Sequence, residues 1–306
     1  MQTNSENAVA EEIEESIAKV NVRGVVKEIS MKVLFAVAAA LFVLAVLTIC
    51  IYLLLDAIPT IGEIGFVKFF TDDRWLIRSE RFGIGSLVVG TALSTVGALV
   101  VGVPIGLMTA TFMAFYCPRW LYKIIKPLTN ILAGIPSIVY GFFGLTVIVP
   151  ISRELLGGGG LNLLTTSFVL GIMILPTIIS ISENSLRAVP KPFYEGAVAL
   201  GATKERAIFR TMFPAASSGV LTAIILGMGR AIGETAAITL ICGNIDQIPG
   251  SLADPFITLA SAIASGMGYA STTNLERPAL IAVAAVLLII ILLITTVVML
   301  LKKKKY

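Results

Sequence analysis

The chain has 306 residues, of which 57% are apolar and only 14% are charged. Soluble domains carry roughly 25% charged residues, so this composition excludes a soluble globular enzyme. It also excludes a disordered chain, which would be less apolar, and a disulfide scaffold, which would need more than three cysteines. We therefore predict an all-α integral membrane protein that crosses the bilayer several times.

The residue types present also limit the chemistry. The chain contains no histidine, which excludes histidine-based triads, metal sites and proton relays. Cys50, Cys117 and Cys242 have neither metal-ligand nor disulfide spacing. The net charge of +4 comes from scattered basic residues and not from a stripe that would indicate nucleic-acid binding. We expect no cofactor, no metal and no catalytic residue.

Apolar runs of about 20 residues, the length that crosses a bilayer, occur six times in the sequence. They lie at about 33–55, 84–113, 131–151, 161–181, 215–242 and 279–301. Sixteen of the 23 Lys and Arg residues lie in the two tails and in the loops 117–128 and 183–214, whereas the alternate loops hold six. The positive-inside rule therefore predicts six spans with both termini in the cytoplasm.

These runs divide the chain into four parts. We expect a cytoplasmic N-terminal tail (1–32), a first span with an outer loop (33–83), a core of five spans (84–301) and a basic tail (302–306). The first run is long enough to span and follows an acidic tail, which favours a retained helix over a signal peptide. The tail itself fits either a surface helix or disorder.

Glycine is frequent inside the predicted spans. Gly102 with Gly106, and Gly229 with Gly233, have the four-residue spacing that lets helices pack closely. The glycine run 157–160 lacks the Lys and helix start of a phosphate-binding loop, and no P-loop occurs anywhere in the sequence. If the protein uses ATP, another chain must hydrolyse it.

The long loop 183–214 predicts two short helices. The first follows Pro192 and ends at Gly201, which suits a left-handed cap, and the second begins at Thr203, a typical N-cap, before Pro214. One face of the first helix is formed by Phe193, Ala197 and Leu200. An amphipathic helix lying on lipid headgroups also fits this pattern.

This loop resembles the EAA loop of ABC importer permeases at four positions, Glu195, Ala197, Gly201 and Pro214. It departs from that motif at Gly196, where the motif has its second alanine, and at Thr211 and Phe213 near its end. The resemblance implies a type I ABC importer permease fold. It also implies that residues 192–202 dock into a cleft of an ATPase subunit and pass its closure to the membrane helices.

Arg230 and Glu234 lie near the middle of the fifth apolar run. Burying one Arg at the centre of a span costs roughly 2.5 to 3.5 kcal/mol on insertion scales, so it should face a partner or a watery pathway. On a continuous helix, Glu234 would lie one turn away and pair with Arg230. The guanidinium could then bind a tetrahedral oxyanion, with Thr235 and Thr239 lining the same cavity. A structural ion pair is the alternative.

The segment 226–235 resembles the fifth span of phosphate importer permeases. Further similar segments are 132–141, 174–176, 186–190, 199–203 and 251–255. The resemblance implies a permease subunit that imports inorganic phosphate by alternating access across a prokaryotic inner membrane. It implies as partners a second, PstA-like permease subunit, two cytoplasmic PstB-like ATPase subunits and an external PstS-like phosphate-binding protein.

Three other functions fit parts of the pattern. Sulfate and molybdate are also tetrahedral oxyanions, and a secondary anion transporter would also carry a membrane Arg, although it would more often show inverted repeats. A membrane enzyme would need an acid, base or metal-binding constellation, and Arg230 with Glu234 is all that the predicted spans offer.

The outer loops contain two candidate contact regions. These are Trp75, among Arg74, Arg78 and Arg81, and the segment 255–267. Both could contact a partner or act as interfacial anchors.

Overall fold

A computed structural model describes residues 2–76, 81–271 and 274–303, with the backbone alone for 2–24, 26, 298 and 301–303. Arg78, Lys304 and Lys305 of the predicted outer loop and basic tail lie outside the described residues. The described chain is almost entirely helical, in agreement with the predicted class. It divides after Leu55 into two compact units.

The helices follow one another with few strands between them. In chain order they are α1 (Gln2–Ile64), α2 (Phe66–Thr71), α3 (Gly85–Thr111), α4 (Arg119–Gly134), α5 (Ser137–Phe143), α6 (Val149–Leu156), α7 (Leu163–Arg187), α8 (Lys191–Ala199), α9 (Lys204–Ala207), α10 (Phe213–Ala215), α11 (Ser217–Ile232), α12 (Ala236–Ile241), α13 (Leu259–Gly266) and α14 (Glu276–Lys303). The π-helical segments Phe112–Tyr116, Gly144–Ile148 and Ile208–Met212 continue α3, α5 and α9. Strands β1 (Trp75–Leu76) and β2 (Arg81–Phe82) pair antiparallel.

The first unit is the part of α1 that ends at Leu55. Its backbone is helical from Gln2, so the N-terminal tail forms a helix rather than a disordered segment. Its apolar side chains are largely exposed, for example Phe42 at 70%. Such exposure is expected where lipid covers the helix.

Five helical stretches of the described chain are long and apolar enough to cross a membrane. They are Lys27–Ile64, Gly85–Tyr116, Ser137–Leu156, Leu163–Arg187 and Glu276–Val297. The pair Lys204–Ala215 and Ser217–Ile232, bent by 70° at the break between them, gives a sixth if it is counted as one span. This number agrees with the six predicted runs.

The bounds of three spans differ from the prediction. The third does not begin at residue 131, because Pro136 lacks an N–H and forces Ile135 into an extended conformation between α4 and α5. The fourth continues to Arg187, so Glu183 lies in α7 and not in the following loop. The fifth is not one helix over 215–242, because α11 ends at Ile232 and α12 is separate.

The centre of the second unit is a close, parallel contact between α3 and α7. A Cβ added to Gly102 would lie 2.7 Å from Ile174 Cδ1 and 2.9 Å from the carbonyl oxygen of Gly171. A Cβ on Gly106 would lie 2.7 Å from Ile178 Cγ2. The glycines thus allow the two helices to approach to a distance that no larger residue permits, as their spacing predicts.

The second glycine pair behaves differently. A Cβ on Gly229 would meet no atom of the described chain within 4 Å, and one on Gly233 would lie 3.5 Å from the carbonyl oxygen of Gly229. These two glycines therefore do not mediate close packing within the described residues. Gly229 lies in the last turn of α11, and Gly233 is the residue that follows the helix.

At the end of the bundle where α3 begins, one carboxylate organises the chain. Asp246 accepts hydrogen bonds from the Trp75 backbone N–H at 2.6 Å and from Ser86 Oγ at 2.5 Å. The Trp75 ring is 7% exposed and packs edge-on against Phe82, with ring centroids 5.6 Å apart. Trp75 therefore packs in the core at this end of the bundle, and its side chain is not exposed for contact with a partner.

The segment 255–267 is likewise used inside the chain. It contains α13, which begins with a capping box between Thr258 and Ser261. Its first four residues, Leu259–Ala262, are buried. This face is consequently closed to an external partner.

We expect Gly102→Val to lower the unfolding temperature of the detergent-solubilised chain, because its side chain would push the α3 and α7 backbones apart. Overpacking of this kind costs about 1–3 kcal/mol. The control is Gly62→Ala in α1, where a Cβ meets no atom within 4 Å. Equal unfolding temperatures for both variants would contradict the close helix contact.

Candidate functional site

The loop between α7 and α11 contains the first candidate site. Pro190 and Pro192 begin α8, and Leu200 caps its end. Gly201 then adopts a positive φ of 85°, its N–H donates to the Val198 carbonyl, and the Ala202 N–H donates to Ala197. This pair of bonds is a Schellman motif, which fixes the end of α8. The predicted helix and its glycine cap are confirmed.

The surface of α8 is exposed along its whole length. No residue of this helix is buried, and Glu195 and Gly196 are both exposed. On the predicted apolar face, Phe193 is 52% and Leu200 92% exposed, whereas Ala197 is half-buried. An exposed large apolar side chain at a fixed helix end is typical of a contact surface for another protein.

The second short helix holds the loop against the bundle. The Thr203 hydroxyl accepts a hydrogen bond from the Arg206 N–H, as expected for an N-cap. Lys204 Nζ lies 4.3 Å from the ring centroid of Tyr116, a cation–π contact with the end of the α3 span. Pro214 lies in α10, directly before the 70° bend into α11.

A cavity of about 410 Å³ separates the loop from the end of α7. Its walls include Arg187, Val189, Lys191, Tyr194, Glu195 and Lys204. In the described chain α8 packs mainly against α9 and the π-helical segment that follows it.

Arg230 forms the second candidate site, in the last turn of α11. It is half-buried, and no acidic group of the described residues lies within 4 Å to form an ion pair with it. The helix ends two residues later, so Glu234 does not occupy the helical position that the sequence predicts. The expected Arg230–Glu234 ion pair is therefore wrong for this conformation.

The Glu234 carboxylate has a different role in the structure. It is 9% exposed, and its Oε1 accepts a hydrogen bond of 3.1 Å from the Ala237 N–H in the first turn of α12. A carboxylate is favoured there because the free N–H groups at a helix start carry partial positive charge. Breaking the fifth span exposes those N–H groups, and Glu234 satisfies one of them.

The two threonines of the predicted site also bond to the backbone. Thr235 Oγ1 donates to the Gly233 carbonyl at 3.2 Å, and Thr239 Oγ1 donates to the Thr235 carbonyl at 2.8 Å. Both side chains are half-buried. Each hydroxyl donates its hydrogen to a carbonyl at or near the break, and its oxygen can still accept a hydrogen bond.

The break in the third span lies beside the break in the fifth. A Cβ on Gly141 of α5 would lie only 2.7 Å from Ala237 Cα of α12, so these two short helices touch through their backbones. The structure thus brings together the helices that follow the two breaks, while Arg230 lies in the last turn of α11, directly before the second break.

Tyr140 is a residue that the sequence analysis missed. Its hydroxyl donates to the Leu132 carbonyl at 2.8 Å, across the break between α4 and α5. In an unbroken helix that carbonyl would accept from residue 136, which is a proline and has no N–H. Tyr140, four residues after Pro136, could have been recognised from this spacing.

A half-buried guanidinium next to helix breaks suits an anion and not a metal. Its planar group offers parallel N–H donors that fit the oxygens of a carboxylate, phosphate or sulfate. Among the described residues, no group of three or more Cys, Asp and Glu could hold a metal ion. Arg230 therefore provides a position within the helix bundle that suits an anion.

Comparison with known proteins identifies the family. Residues 102–305 match the family described as binding-protein-dependent transport system inner membrane component. The chain is 33% identical over 258 residues to the probable ABC transporter permease protein YqgH of Bacillus subtilis, covering 83% of this chain and 84% of the relative. It is 36% identical over 259 residues to the phosphate transport system permease protein PstC 2 of Mycobacterium tuberculosis, covering 76% and 79%.

A third relative and the solved structures agree with this assignment. The phosphate transport system permease protein PstC of Haemophilus influenzae is 34% identical over 273 residues, covering 81% of this chain and 85% of the relative. An inward-facing structure of the MetNI methionine ABC transporter has the same fold, with a TM-score of 0.56 and 20% identity over 72% of this chain and 94% of that one. The chain therefore belongs to the family of binding-protein-dependent transport system inner membrane components, the permease subunits of ABC importers.

Proposed function

We propose that the chain is a permease subunit of an ATP-driven importer of inorganic phosphate. It forms half of the translocation pathway across a prokaryotic inner membrane, with both termini in the cytoplasm. The observation that carries the substrate is the 33–36% identity, over most of the chain, to several relatives named as phosphate transport permeases. The position of Arg230 agrees with an anionic substrate.

The pathway passes Arg230. Its guanidinium is half-buried and has no ion partner in the described residues, so its donors remain available to phosphate oxygens. Glu234, Thr235 and Thr239 surround the helix break beside it. A translocation pathway must also release the ion, and a single cation meets this requirement better than a cage of donors would.

The α7–α11 loop couples the permease to ATP hydrolysis on a separate chain. The exposed residues Glu195, Gly196 and Leu200 are available to an ATPase subunit, and Gly201 fixes the end of the docking helix. Pro214 lies where the loop joins α11, so a displacement of α8 reaches the helix that carries Arg230. We infer two PstB-like ATPase subunits, a second, PstA-like permease subunit and an external PstS-like binding protein.

The substrate is tested by uptake of labelled phosphate into proteoliposomes that contain the copurified complex, ATP and the external binding protein. Sulfate and molybdate serve as competitors. ATP-dependent uptake that resists both competitors is the expected result. Assembly with ATPase subunits but without phosphate uptake would retain the importer class and exclude phosphate as the substrate.

We expect Arg230→Ala to reduce phosphate uptake on the order of 100-fold, equivalent to losing about 3 kcal/mol of charged hydrogen bonding. Arg230→Lys should fall between Ala and the parent, because Lys keeps the charge but lacks the paired donors. Arg153→Ala is the control, since that exposed side chain lies in α6, away from the breaks, and donates a hydrogen bond to the Gly159 carbonyl. Normal uptake by Arg230→Ala in an assembled complex would remove Arg230 from the pathway.

A pair of glycine variants tests the coupling loop. We expect Gly201→Val to lower phosphate-coupled ATP hydrolysis, because a β-branched residue at φ 85° costs at least about 1–2 kcal/mol and unfolds the cap of α8. Gly159→Ala, in the loop between α6 and α7, is the control and should leave coupling unchanged, because a Cβ there meets no atom of the described chain within 4 Å. Both variants are measured as ATP hydrolysis and uptake in the same proteoliposomes. Unaltered coupling in Gly201→Val would contradict the proposed role of the loop.

A further inference from the structure

Glu183 is a fully buried carboxylate that the proposed pathway does not use. It lies one turn before the end of α7 and has 0% exposure. Its Oε1 accepts hydrogen bonds from Tyr122 Oη and from Arg187 Nε, both at 2.8 Å, and its Oε2 accepts from Lys126 Nζ at 2.7 Å. Burial of a lone carboxylate is costly, so these three donors are required to keep it charged.

The donors come from two helices and link them to a third. Tyr122 and Lys126 are one turn apart on α4, whereas Arg187 is the last residue of α7. The Arg187 guanidinium lies 4.7 Å from the ring centroid of Tyr122 and also donates to the Met113 carbonyl at 2.7 Å. The hydrogen bond to Glu183 raises the pKa of Tyr122, which keeps its hydroxyl a donor.

The contact with Met113 compensates a second proline. Met113 lies in the π-helical segment after α3, where Cys117 N–H bonds to the carbonyl five residues before it. In the same register the Met113 carbonyl would accept from Pro118, which has no N–H. Arg187 supplies the missing donor, so the cluster of Glu183, Tyr122, Lys126 and Arg187 joins the ends of α3 and α7 to α4.

This cluster lies between the two candidate sites. On one side, only Ala188, Val189 and Pro190 separate Arg187 from α8, and Arg187 also lines the 410 Å³ cavity together with Tyr194 and Glu195. On the other side, α4 leads directly to the break at Pro136, beyond which α5 touches α12 where Gly141 approaches Ala237. The cluster is thus a polar connection between the end of α7, next to the loop, and the helix that leads to the break.

We propose that Glu183 is a positioning residue that fastens α4 to the end of α7, so that a displacement of α8 moves α4 and the break before α5. This inference rests on the proposed coupling role of α8. If Glu183 only stabilises the fold, its substitution lowers the amount of assembled complex and nothing else. If Glu183 transmits the displacement of α8, its substitution lowers the phosphate moved per ATP hydrolysed in fully assembled complexes.

The variants are chosen to separate these two cases. Glu183→Gln keeps the size of the side chain but turns an amide donor towards Lys126 Nζ, and Lys126→Met removes the cation while Tyr122 and Arg187 remain. Lys126→Arg is the conservative variant. Lys123→Met is the matched control, because Lys123 lies on the same helix, is exposed and has no ion partner within 4 Å among the described residues.

The first measurement compares phosphate uptake with ATP hydrolysis in proteoliposomes containing the complete complex and the external binding protein. We expect Glu183→Gln and Lys126→Met to lower the phosphate moved per ATP about tenfold, with assembly and basal hydrolysis within twofold of the parent. Lys126→Arg and Lys123→Met should keep the parental ratio. A loss of uptake that follows the loss of assembled complex in both variants would overturn the proposal.

The second measurement does not depend on phosphate. Spin labels at Leu128 on α4 and Ile289 on α14, both exposed, report the distance between these helices in a cysteine-free complex with and without nucleotide. We expect a nucleotide-dependent change in the parent and its loss in Glu183→Gln. A parent without this change, or an unchanged response in Glu183→Gln, refutes the proposal. Failure of phosphate uptake in the parent, with the distance change present, refutes the proposed substrate alone.

Discussion

The structure depends on satisfying every backbone polar group in a bundle that water does not reach. In lipid an unpaired N–H or carbonyl costs several kcal/mol, which favours unbroken helices. This chain nevertheless interrupts its helices at Pro118, Pro136 and Gly233. At each interruption a side chain replaces the lost backbone partner: Arg187 at the Met113 carbonyl, Tyr140 at the Leu132 carbonyl and Glu234 at the Ala237 N–H. The positions of Arg187, Tyr140 and Glu234 are therefore explained by where the helices break.

Two kinds of helix contact give the second unit different mechanical parts. The parallel α3–α7 contact interlocks backbone against side chain at Gly102 and Gly106, and such packing has little freedom to slide. The broken helices touch where Gly141 of α5 approaches Ala237 of α12, and each break is bridged by a side-chain hydrogen bond of its own, Tyr140 to Leu132 and Ala237 to Glu234. The packing of α3 against α7 is consequently the tighter of these two kinds of helix contact.

Sequence patterns predicted the membrane spans and the helix caps of the α7–α11 loop, but not where two of the spans break. Hydropathy is additive along the chain, so the spans were predicted, and Gly201 and Thr203 were predicted because caps depend on local residues. The ends of the third and fifth spans could not be predicted from hydropathy, since apolar residues continue across Pro136 and Gly233. Glu234 was predicted to pair with Arg230 because they are four residues apart, but α11 ends at Ile232 and the two residues do not share a helix. Glu183 was placed in a loop because its partners Tyr122 and Lys126 lie about 60 residues away in sequence.

The exposed end of α8 has a consequence for the life of the chain in the cell. In the proposed complex an ATPase subunit covers Leu200, which is 92% exposed in this chain, and Phe193. Chaperones and proteases act on incompletely folded or unassembled chains in the cell, and their action sets protein abundance. Under the proposal, a copy synthesised in excess of its partners would keep this apolar helix end exposed. The side chains that dock the ATPase would then also distinguish unassembled copies from assembled ones.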